Sequence, residues 1–229
     1  MTITPTRTDV CSISLARTPG GRVRVTSGGG PFRVITLAMF GDWARVALVP
    51  DRALLLAGDS VAMSITVADG LSLHVQETSG TVAYDMRGDS ASWACSASVG
   101  VDAALVLDSL PWVSAFGSRV SRSFDVDLAD AATLLARETL VLGRSGEGPG
   151  SLLARSSITR DGRPLLVEEL CSAHLAPYRI VDSVLAIGHP APVETRPFVL
   201  ESGARLWRRL GREAHETAAD LDPIWAALV

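Results

Sequence analysis

Hydrophobic and polar residues alternate along much of this chain, which is the pattern of β-strands that bury one face. The stretch from Leu128 to Glu147 shows it most clearly, because an alternating run leads into TLVLGR and then into a glycine-rich exit. Ala, Leu, Arg and Glu are also good helix formers, so a helix is the competing prediction for this stretch. The recurrence of the same pattern elsewhere in the chain favours strands.

The recurring pattern is an apolar residue, two linking positions, a small residue and then alternating apolar residues. It begins at Val67, Val101 and Leu128, with offsets of 34 and 27 residues. Small residues between alternating runs are typical of turns that join antiparallel strands, and the repetition indicates stacked layers. A chance match in a chain rich in Ala and Val is the alternative. The hairpins are expected at residues 64–75, 97–107 and 124–135.

Two further glycine signals mark turns. Asp161-Gly162 lies between two apolar runs and is the best type I′ hairpin candidate in the chain. The run Gly28-Gly29-Gly30 could cradle an anion, but no Gly-Lys-Ser/Thr follows it, so plain turn chemistry is favoured over a phosphate loop.

The C-terminal part of the sequence changes character after Pro190. Residues from Glu201 to Glu216 have apolar positions at helical spacing, which predicts a helix near 203–215 with Ser202 as its cap. A second, shorter apolar stretch from Leu221 to Val229 follows a proline start signal.

These patterns predict a mainly β fold of layered, stacked antiparallel β-hairpins, resembling a β-helix, with one or two C-terminal helices. Residues 1–190 are expected to form the layered β domain. Residues 191–229 are expected to form a connector and a helical segment that packs on the same domain.

Composition narrows the function classes. Apolar residues make up 47% of the 229 positions and charged residues 20%, which is typical of a globular protein with a buried core. The net charge is −4, and all 21 cationic residues are Arg. Without a clustered basic field, nucleic acid is not an expected partner.

The cysteine content indicates a reducing compartment. Cys11, Cys95 and Cys171 do not form an even, closely spaced disulfide framework, so we expect a cytoplasmic protein. The first ten residues, MTITPTRTDV, lack the apolar core of a signal peptide, and no run approaches the ~20 apolar residues that span a bilayer.

No catalytic or zinc-binding motif is present in the sequence. The four histidines are isolated, and no spacing of His and Cys gives four zinc ligands. Cys171 and His174 are three residues apart near a predicted strand, where side chains at that spacing point to opposite faces. No serine lies in a GxSxG elbow.

Two acidic residues are better candidates for function. Asp59 follows Gly58 at the end of an apolar run, and Glu138 lies within a predicted strand between apolar neighbours. A carboxylate in such surroundings must be paired, solvated by a cavity or bound to a metal. A salt bridge to Arg137 or Arg144 is the structural explanation of Glu138.

Several segments of this sequence resemble the urease accessory protein family UreD, also called UreH. They follow the order of that family and cover roughly residues 52–170. Each segment is short, so the specificity comes from their number, order and spacing. The segments are ARETLVLGRSGEG, VDLADAATLL before it and RDGRPLLVEEL after it, with LLLAGDSVAMSITVADGLSL, TSGTVAY and VLDSLPW upstream.

The resemblance implies a layered β protein that binds apo-urease and acts with the accessory proteins UreF and the GTPase UreG. It also implies that transient Ni²⁺ passes along an internal route lined by polar and acidic residues, with Asp59 and Glu138 at matching positions. This chain departs from the family pattern in having one glycine in RALLLAGD, a valine at position 82 and one proline in LPWVSAFGS.

Three hypotheses of function follow. The first is a non-enzymatic urease maturation factor that assists nickel delivery. The second is a β-rich hydrolase that uses Asp59 and Glu138 as an acid/base pair, although His, Ser and Cys partners are missing. The third is a plain structural β scaffold.

Overall fold

A computed structural model describes residues 8–192 and 195–229 of the chain. Most of the N-terminal segment MTITPTRTDV, in which the sequence shows no signal-peptide core, lies outside the described residues. Within the described parts, strands account for most of the chain and are followed by one C-terminal α-helix.

The strands in chain order are β1 (Asp9–Arg17), β2 (Val23–Gly28), β3 (Phe32–Phe40), β4 (Trp43–Pro50), β5 (Ser60–Val67), β6 (Ser72–Glu77), β7 (Thr81–Ala83), β8 (Ala91–Val99), β9 (Ala104–Asp108), β10 (Trp112–Ser114), β11 (Arg119–Leu128), β12 (Thr133–Leu142), β13 (Ser151–Arg160), β14 (Arg163–Cys171), β15 (Ile180–Ile187), β16 (Phe198–Val199) and β17 (Arg205–Gly211). A 3₁₀ turn covers Ser172–His174, and helix α1 covers Ala214–Leu228.

The strands form two sheets that face each other across the core. The seven-stranded sheet has the order β14-β13-β11-β8-β5-β1-β2. The ten-stranded sheet has the order β16-β17-β15-β12-β9-β6-β4-β3, with β10 joining β12 and β7 at its side. The central strands of both sheets are parallel, whereas the strands at the sheet ends pair antiparallel.

The three sequence repeats are the corners of successive coils. In each coil one strand runs in the seven-stranded sheet, turns, and continues as a strand of the ten-stranded sheet: β5 to β6, β8 to β9 and β11 to β12. The coils then stack by parallel pairing between repeats. The predicted mainly β, layered and β-helix-like fold with a C-terminal helix is therefore confirmed.

The hydrogen bonding within the repeats differs from the prediction. The two strands of each repeat belong to different sheets, so residues 64–75, 97–107 and 124–135 are not antiparallel hairpins. The alignment of the second repeat was also wrong by two residues, since Val67 pairs with Val99, and Val99 with Leu128. Both errors have one cause: alternation shows which residues face inwards but does not show which strand is the hydrogen-bonding neighbour.

Backbone conformation explains the true register of the corners. The third corner residue has a positive φ in each coil, at Gly70 (66°), Asp102 (54°) and Ala131 (51°). Gly adopts this left-handed conformation freely and Asp tolerates it, whereas Ala meets a steric cost. The repeat is therefore defined by a positive φ at the third corner residue, not by the presence of a small residue.

The two glycine turns have the predicted character. Asp161 and Gly162 both have positive φ (48° and 75°) and join β13 to β14, as a type I′ hairpin requires. Gly29 and Gly30 lie against the backbone of β1, where an added Cβ would come within 2.4 Å of Val10 O and 2.7 Å of Cys11 N. The glycine run therefore serves close packing of the chain on β1.

The C-terminal prediction is wrong in its details. Residues 205–211, within the predicted helix near 203–215, form strand β17, which pairs antiparallel with β15. The α-helix begins later, at Ala214, and continues through Pro223, the predicted start signal of the second apolar stretch. The segment forms a strand because its side chains alternate between two buried faces. Leu206 and Arg208 face the other sheet, while Trp207 packs under α1.

Helix α1 covers the outer face of the ten-stranded sheet. Its buried side chains pack with Trp207 and with residues of β12 and β15 in a small cluster. Arg137 strengthens this contact, since its guanidinium lies 3.3 Å from the carboxylate of Asp182 and 2.6 Å from that of Asp222 on the helix. Within the described residues, α1 is too short and too polar to cross a membrane.

We expect the Ala131→Gly substitution to stabilise the protein, because glycine removes the steric cost of the left-handed corner. The free energy of unfolding should rise by about 0.5–1 kcal/mol after the entropy cost of glycine is subtracted. Chemical denaturation of the two proteins measures this difference.

The matched control is Ala129→Gly in the same corner, where φ is not positive and glycine should lower stability. Equal destabilisation by both substitutions would contradict the strained corner.

Candidate functional site

A cavity of about 80 Å³ lies between the two sheets. Strands of both sheets line it, from β4 and β5 on one side to β14 and β17 on the other, so it extends across the strand direction. A water molecule needs roughly 10–15 Å³ of such space and a few polar partners. The cavity therefore has room for several waters or for a partly hydrated ion.

A row of polar side chains on the ten-stranded sheet follows the cavity. Glu138 pairs with Ser183 across the sheet, and Ser183 pairs with Arg208. Glu77 lies level with Glu138. The register pairs Gln76 with Asp108 and Asp108 with Arg137, and Glu77 and Glu138 are the next residues on their strands. Glu77, Glu138, Ser183 and Arg208 all line the cavity, and we call them the polar row.

The polar row separates two apolar clusters of the core. Ala136 and Leu185 lie two residues from Glu138 and Ser183 on one side and belong to the larger cluster. Leu140 and Val181 lie two residues away on the other side and belong to the second cluster. Charged groups between two apolar clusters must find partners or water, since an isolated buried charge is strongly unfavourable. The cavity and two ion pairs meet that requirement.

The first ion pair joins Arg122 to Glu138 across the gap between the sheets. Arg122 extends from β11 and donates through Nη1 to Glu138 Oε1. The side chains are 12% and 26% exposed, so the pair is largely withdrawn from water.

A salt bridge was predicted for Glu138, but the expected arginines are wrong. Arg137 faces the opposite side of β12, towards α1, because neighbours on a strand point to opposite faces. Arg144 lies in the exposed loop after β12 and pairs with Glu147. The actual partner is 16 residues away in sequence, on the facing sheet.

The second ion pair has the opposite orientation. Arg208 of the ten-stranded sheet reaches Glu168 on β14 of the seven-stranded sheet with both of its terminal nitrogens, and the Nη2–Oε2 distance is 2.8 Å. Arg208 Nε also donates to Ser183 Oγ at 2.9 Å. Such a two-pronged contact fixes the guanidinium more firmly than a single bond.

Glu77 differs from the other two cavity glutamates. Among the described residues it has no arginine ion pair, and its Oε2 accepts a hydrogen bond of 2.8 Å from Leu110 N–H. Burial raises its pKa to about 7, with smaller upward contributions from Asp108 and Glu138, while the Leu110 N–H and the charge of Arg122 oppose the rise. Near neutral pH, Glu77 is therefore present both as the neutral acid and as the carboxylate.

The remaining polar atoms of the cavity wall suit water more than tight metal binding. Burial raises the pKa of Cys95 to about 12, so its sulfur stays a neutral thiol. Trp112 Nε1 and Arg122 Nε are buried donors without a partner among the described residues, and a cavity water could accept from either. Within residues 8–192 and 195–229, no group of three or more His, Cys, Asp or Glu is arranged to hold a metal ion.

Asp59 does not line this cavity. It closes the turn before β5, where its Oδ2 accepts from Leu56 N–H at 2.8 Å and its carbonyl accepts from Ser92 N–H at 2.9 Å. The structure thus gives Asp59 a turn-closing contact and places Glu138 in the core, so an acid/base pair formed by the two is not assembled. The nickel-transit role of both residues stays a prediction.

The other expected metal candidates also lie apart from the cavity. Cys171 ends β14 and His174 lies in the following 3₁₀ turn. His74 faces away from the cavity, with its Nε2 lying 3.6 Å from Asp108 Oδ2. All three cysteines of the chain are free thiols.

Sequence reasoning missed four cavity residues: Glu77, Arg122, Glu168 and Arg208. A usable signal was nevertheless present, because each continues the inward-facing set of an alternating run. Leu73 and Val75 precede Glu77 at spacing two, and Leu206 precedes Arg208 in the same way. A charged residue that continues a buried face indicates a polar site in the core, and Glu138 was found by that argument.

Comparison with known proteins gives a consistent result. The family model described as UreD urease accessory protein matches residues 8–228. The chain is 37% identical to urease accessory protein UreD 1 of Streptomyces griseus over 230 residues, which is 94% of this chain and 90% of the relative. It is 36% identical to UreD 2 of Saccharopolyspora erythraea over 65% of this chain and 53% of the relative. With UreD of Streptomyces coelicolor it shares 38% identity over 69% of this chain and 63% of the relative.

The raised pKa of Glu77 predicts a pH dependence of stability. Its folded pKa, about 7, lies above the ordinary value of 4.5, so the folded state holds this proton more tightly than the unfolded state. The stabilising contribution is complete below pH 4.5 and is lost as pH rises through 7. Between pH 5 and pH 8 the wild type should therefore lose roughly 2 kcal/mol that the Glu77→Gln variant retains.

Urea unfolding of both proteins at the two pH values measures this difference. The control is Glu169→Gln on β14, because Glu169 pairs with Arg155 at the surface, where both side chains are more than half exposed. A pH profile of Glu77→Gln parallel to that of the wild type would contradict the burial of this carboxyl group.

Proposed function

Because the chain belongs to the UreD family of urease accessory proteins, we propose that it is a non-catalytic maturation factor that binds apo-urease and assists nickel delivery. In this proposal it acts in the cytoplasm with a UreF-like accessory protein and a UreG-like GTPase. The carboxylate-lined cavity between the sheets is the observation that carries the proposal.

The chemistry of the cavity wall suits transient passage of Ni²⁺. Carboxylates and water are weak ligands for this ion compared with imidazole and thiolate. Glu77, Glu138 and Glu168 supply carboxylates along the cavity, while Cys95 supplies a neutral thiol. A wall of this kind lets an ion enter and leave, whereas a cluster of His and Cys would retain it.

The route would use Glu138 in the core, as the family resemblance implies, and Glu77 beside it. Asp59 would act outside the cavity, because its carboxylate belongs to the turn before β5. A substitution of Asp59 would therefore test a step of nickel delivery outside the cavity, whereas a substitution of Glu138 tests passage through the cavity.

Exposed apolar side chains support a role in binding other proteins. They concentrate on the β3–β4 hairpin at the edge of the ten-stranded sheet, where Ile35, Leu37 and Phe40 are 49%, 52% and 86% exposed. Edge strands with apolar side chains attract partners, and a contiguous exposed apolar patch marks an interaction site. We assign this hairpin to the binding of the UreF-like accessory protein.

Co-expression with a UreF-like partner should give a co-purifying complex and raise the solubility of this chain. The double substitution Leu37→Asn/Phe40→Ser should lower the recovered complex several-fold, since it makes the exposed hairpin polar without touching the core. Affinity purification followed by quantification of both chains measures the effect.

The matched control is Val167→Ser, because Val167 is 71% exposed on β14 at the other sheet. A chain that stays monomeric and fully soluble beside the partner, and that captures no apo-urease, would rule out the maturation role.

The Glu138→Gln substitution should lower urease activation in cells at limiting nickel and should allow partial recovery when nickel is added. Glutamine keeps the shape and can still accept from Arg122, but it removes the charge that a divalent ion needs. Urease activity per urease protein, measured across a nickel series, reports the effect. Glu169→Gln is the surface control.

If Glu138 served stability alone, loss of its charge would leave Arg122 uncompensated, at a cost on the order of 3–5 kcal/mol. The variant would then be insoluble or would fail to bind its partners. The Arg122→Gln/Glu138→Gln double variant separates the two roles, because removing both charges preserves folding while activation should stay low. A stable, partner-binding Glu138→Gln variant with normal activation at limiting nickel would exclude this residue from the route.

A further inference from the structure

Two arginine–glutamate bridges cross the same cavity in opposite directions. In one bridge the arginine comes from the seven-stranded sheet (Arg122 to Glu138), and in the other it comes from the ten-stranded sheet (Arg208 to Glu168). Both bridges line the space between the sheets and are mostly shielded from water.

The register fixes where the bridges lie along the cavity. Glu77 is on β6, Glu138 on β12 and Arg208 on β17, so each is two strands from the next in the ten-stranded sheet. With neighbouring strands about 4.8 Å apart, the three positions follow at intervals of roughly 10 Å. The polar row therefore presents Glu77, then the Arg122–Glu138 bridge and then the Arg208–Glu168 bridge in regular steps, so two of the three cavity glutamates already hold a guanidinium.

A guanidinium changes what its carboxylate can do. An unpaired carboxylate in an apolar wall either takes up a proton or holds any available cation strongly. At a paired carboxylate, a metal ion must displace the arginine before it can bind. The carboxylate therefore exchanges one cation for another. Because the arginine competes for the carboxylate, the affinity of the carboxylate for the metal ion stays low.

We propose that Arg122 and Arg208 are resident counterions of the nickel route, which hold Glu138 and Glu168 when the cavity is empty and are displaced by the passing ion. This inference rests on the proposed function. In this proposal the arginines act through the two carboxylates: by competing with Ni²⁺, they lower the affinity of Glu138 and Glu168 for the ion.

The contacts of the two arginines fit this role to different degrees. Arg122 makes a single hydrogen bond to its glutamate, and its Nε has no partner among the described residues. Its charge also acts on Glu77, where it opposes the rise in the pKa of that carboxyl group. A displaced Arg122 therefore has Glu77 within electrostatic reach. Arg208 is held by three hydrogen bonds and should yield less readily.

Nickel affinity of the full chain tests the proposal. Equilibrium dialysis with nickel chloride uses the chain alone or with its co-purified partner, and the partner alone serves as the blank. Arg122→Gln should bind Ni²⁺ about tenfold or more tightly than the wild type, because the ion no longer competes with a charge-assisted hydrogen bond. Arg122→Lys should stay close to the wild type, since it retains a competing cation.

The gain should depend on Glu138. The Arg122→Gln/Glu138→Gln double variant should lose the added affinity, and Arg208→Gln with Arg208→Gln/Glu168→Gln should repeat the pattern at the second bridge. A folded Arg122→Gln variant with unchanged or weaker Ni²⁺ affinity would overturn the proposal. A gain that survives in the double variant would overturn it as well.

A measurement on the wild type covers the case in which Arg122→Gln does not fold. The ¹⁵Nε–H resonance of Arg122, assigned by its disappearance in Arg122→Lys, should shift or broaden on addition of nickel chloride, and Glu138→Gln should abolish that response. An unchanged resonance at saturating Ni²⁺ would contradict displacement. Failure of the nickel route itself would instead appear as normal urease activation by Glu138→Gln, so the two outcomes are distinguishable.

Discussion

In-register parallel stacking of the coils is the constraint on which the rest of this structure depends. Val67, Val99 and Leu128 pair in one row, and the same register continues through the paired strands β6, β9 and β12, where Ser72, Ala104 and Thr133 form the next row. Inward-facing side chains of equal height therefore form continuous rows across the sheets. When successive coils carry a polar residue at the same inward-facing height, these side chains form one continuous polar row through the core.

The energetics of that path favour a functional origin. Replacing a buried ion pair by apolar residues of similar volume is often neutral or stabilising, so stability alone gives little reason for two bridges between apolar clusters. Glu77 adds a carboxyl group whose pKa is raised to about 7 by burial. The core thus gives up favourable apolar contact along the polar row, and the proposed nickel route would account for that cost.

Sequence reasoning located part of this site. Glu138 was identified because a carboxylate within an apolar strand needs a partner, and a salt bridge was indeed found. Its partner, Arg122, could not be identified from the sequence, since it lies on a facing sheet and the pairing of sheets is a long-range property. Asp59 was selected because it ends an apolar run and matches a position of the family pattern, yet its carboxylate closes a local turn. Residues 205–211 were assigned to a helix because the apolar residues of this region recur at helical spacing among arginines. The cavity beside Arg208 explains one of those charges.

The sequence by itself determined the β character, the turns at Gly70 and Asp161-Gly162, the repetition of the coils and the family. These follow from local chemistry: alternation along a strand and the few residues that accept a positive φ. Tertiary structure decided that the repeats pair in parallel, that Val99 rather than Val101 begins the second corner, and that Arg122 and Glu168 face the polar row. The physical reason is that hydrogen-bonding partners and facing side chains are chosen among distant segments, whose energies depend on the whole packed core.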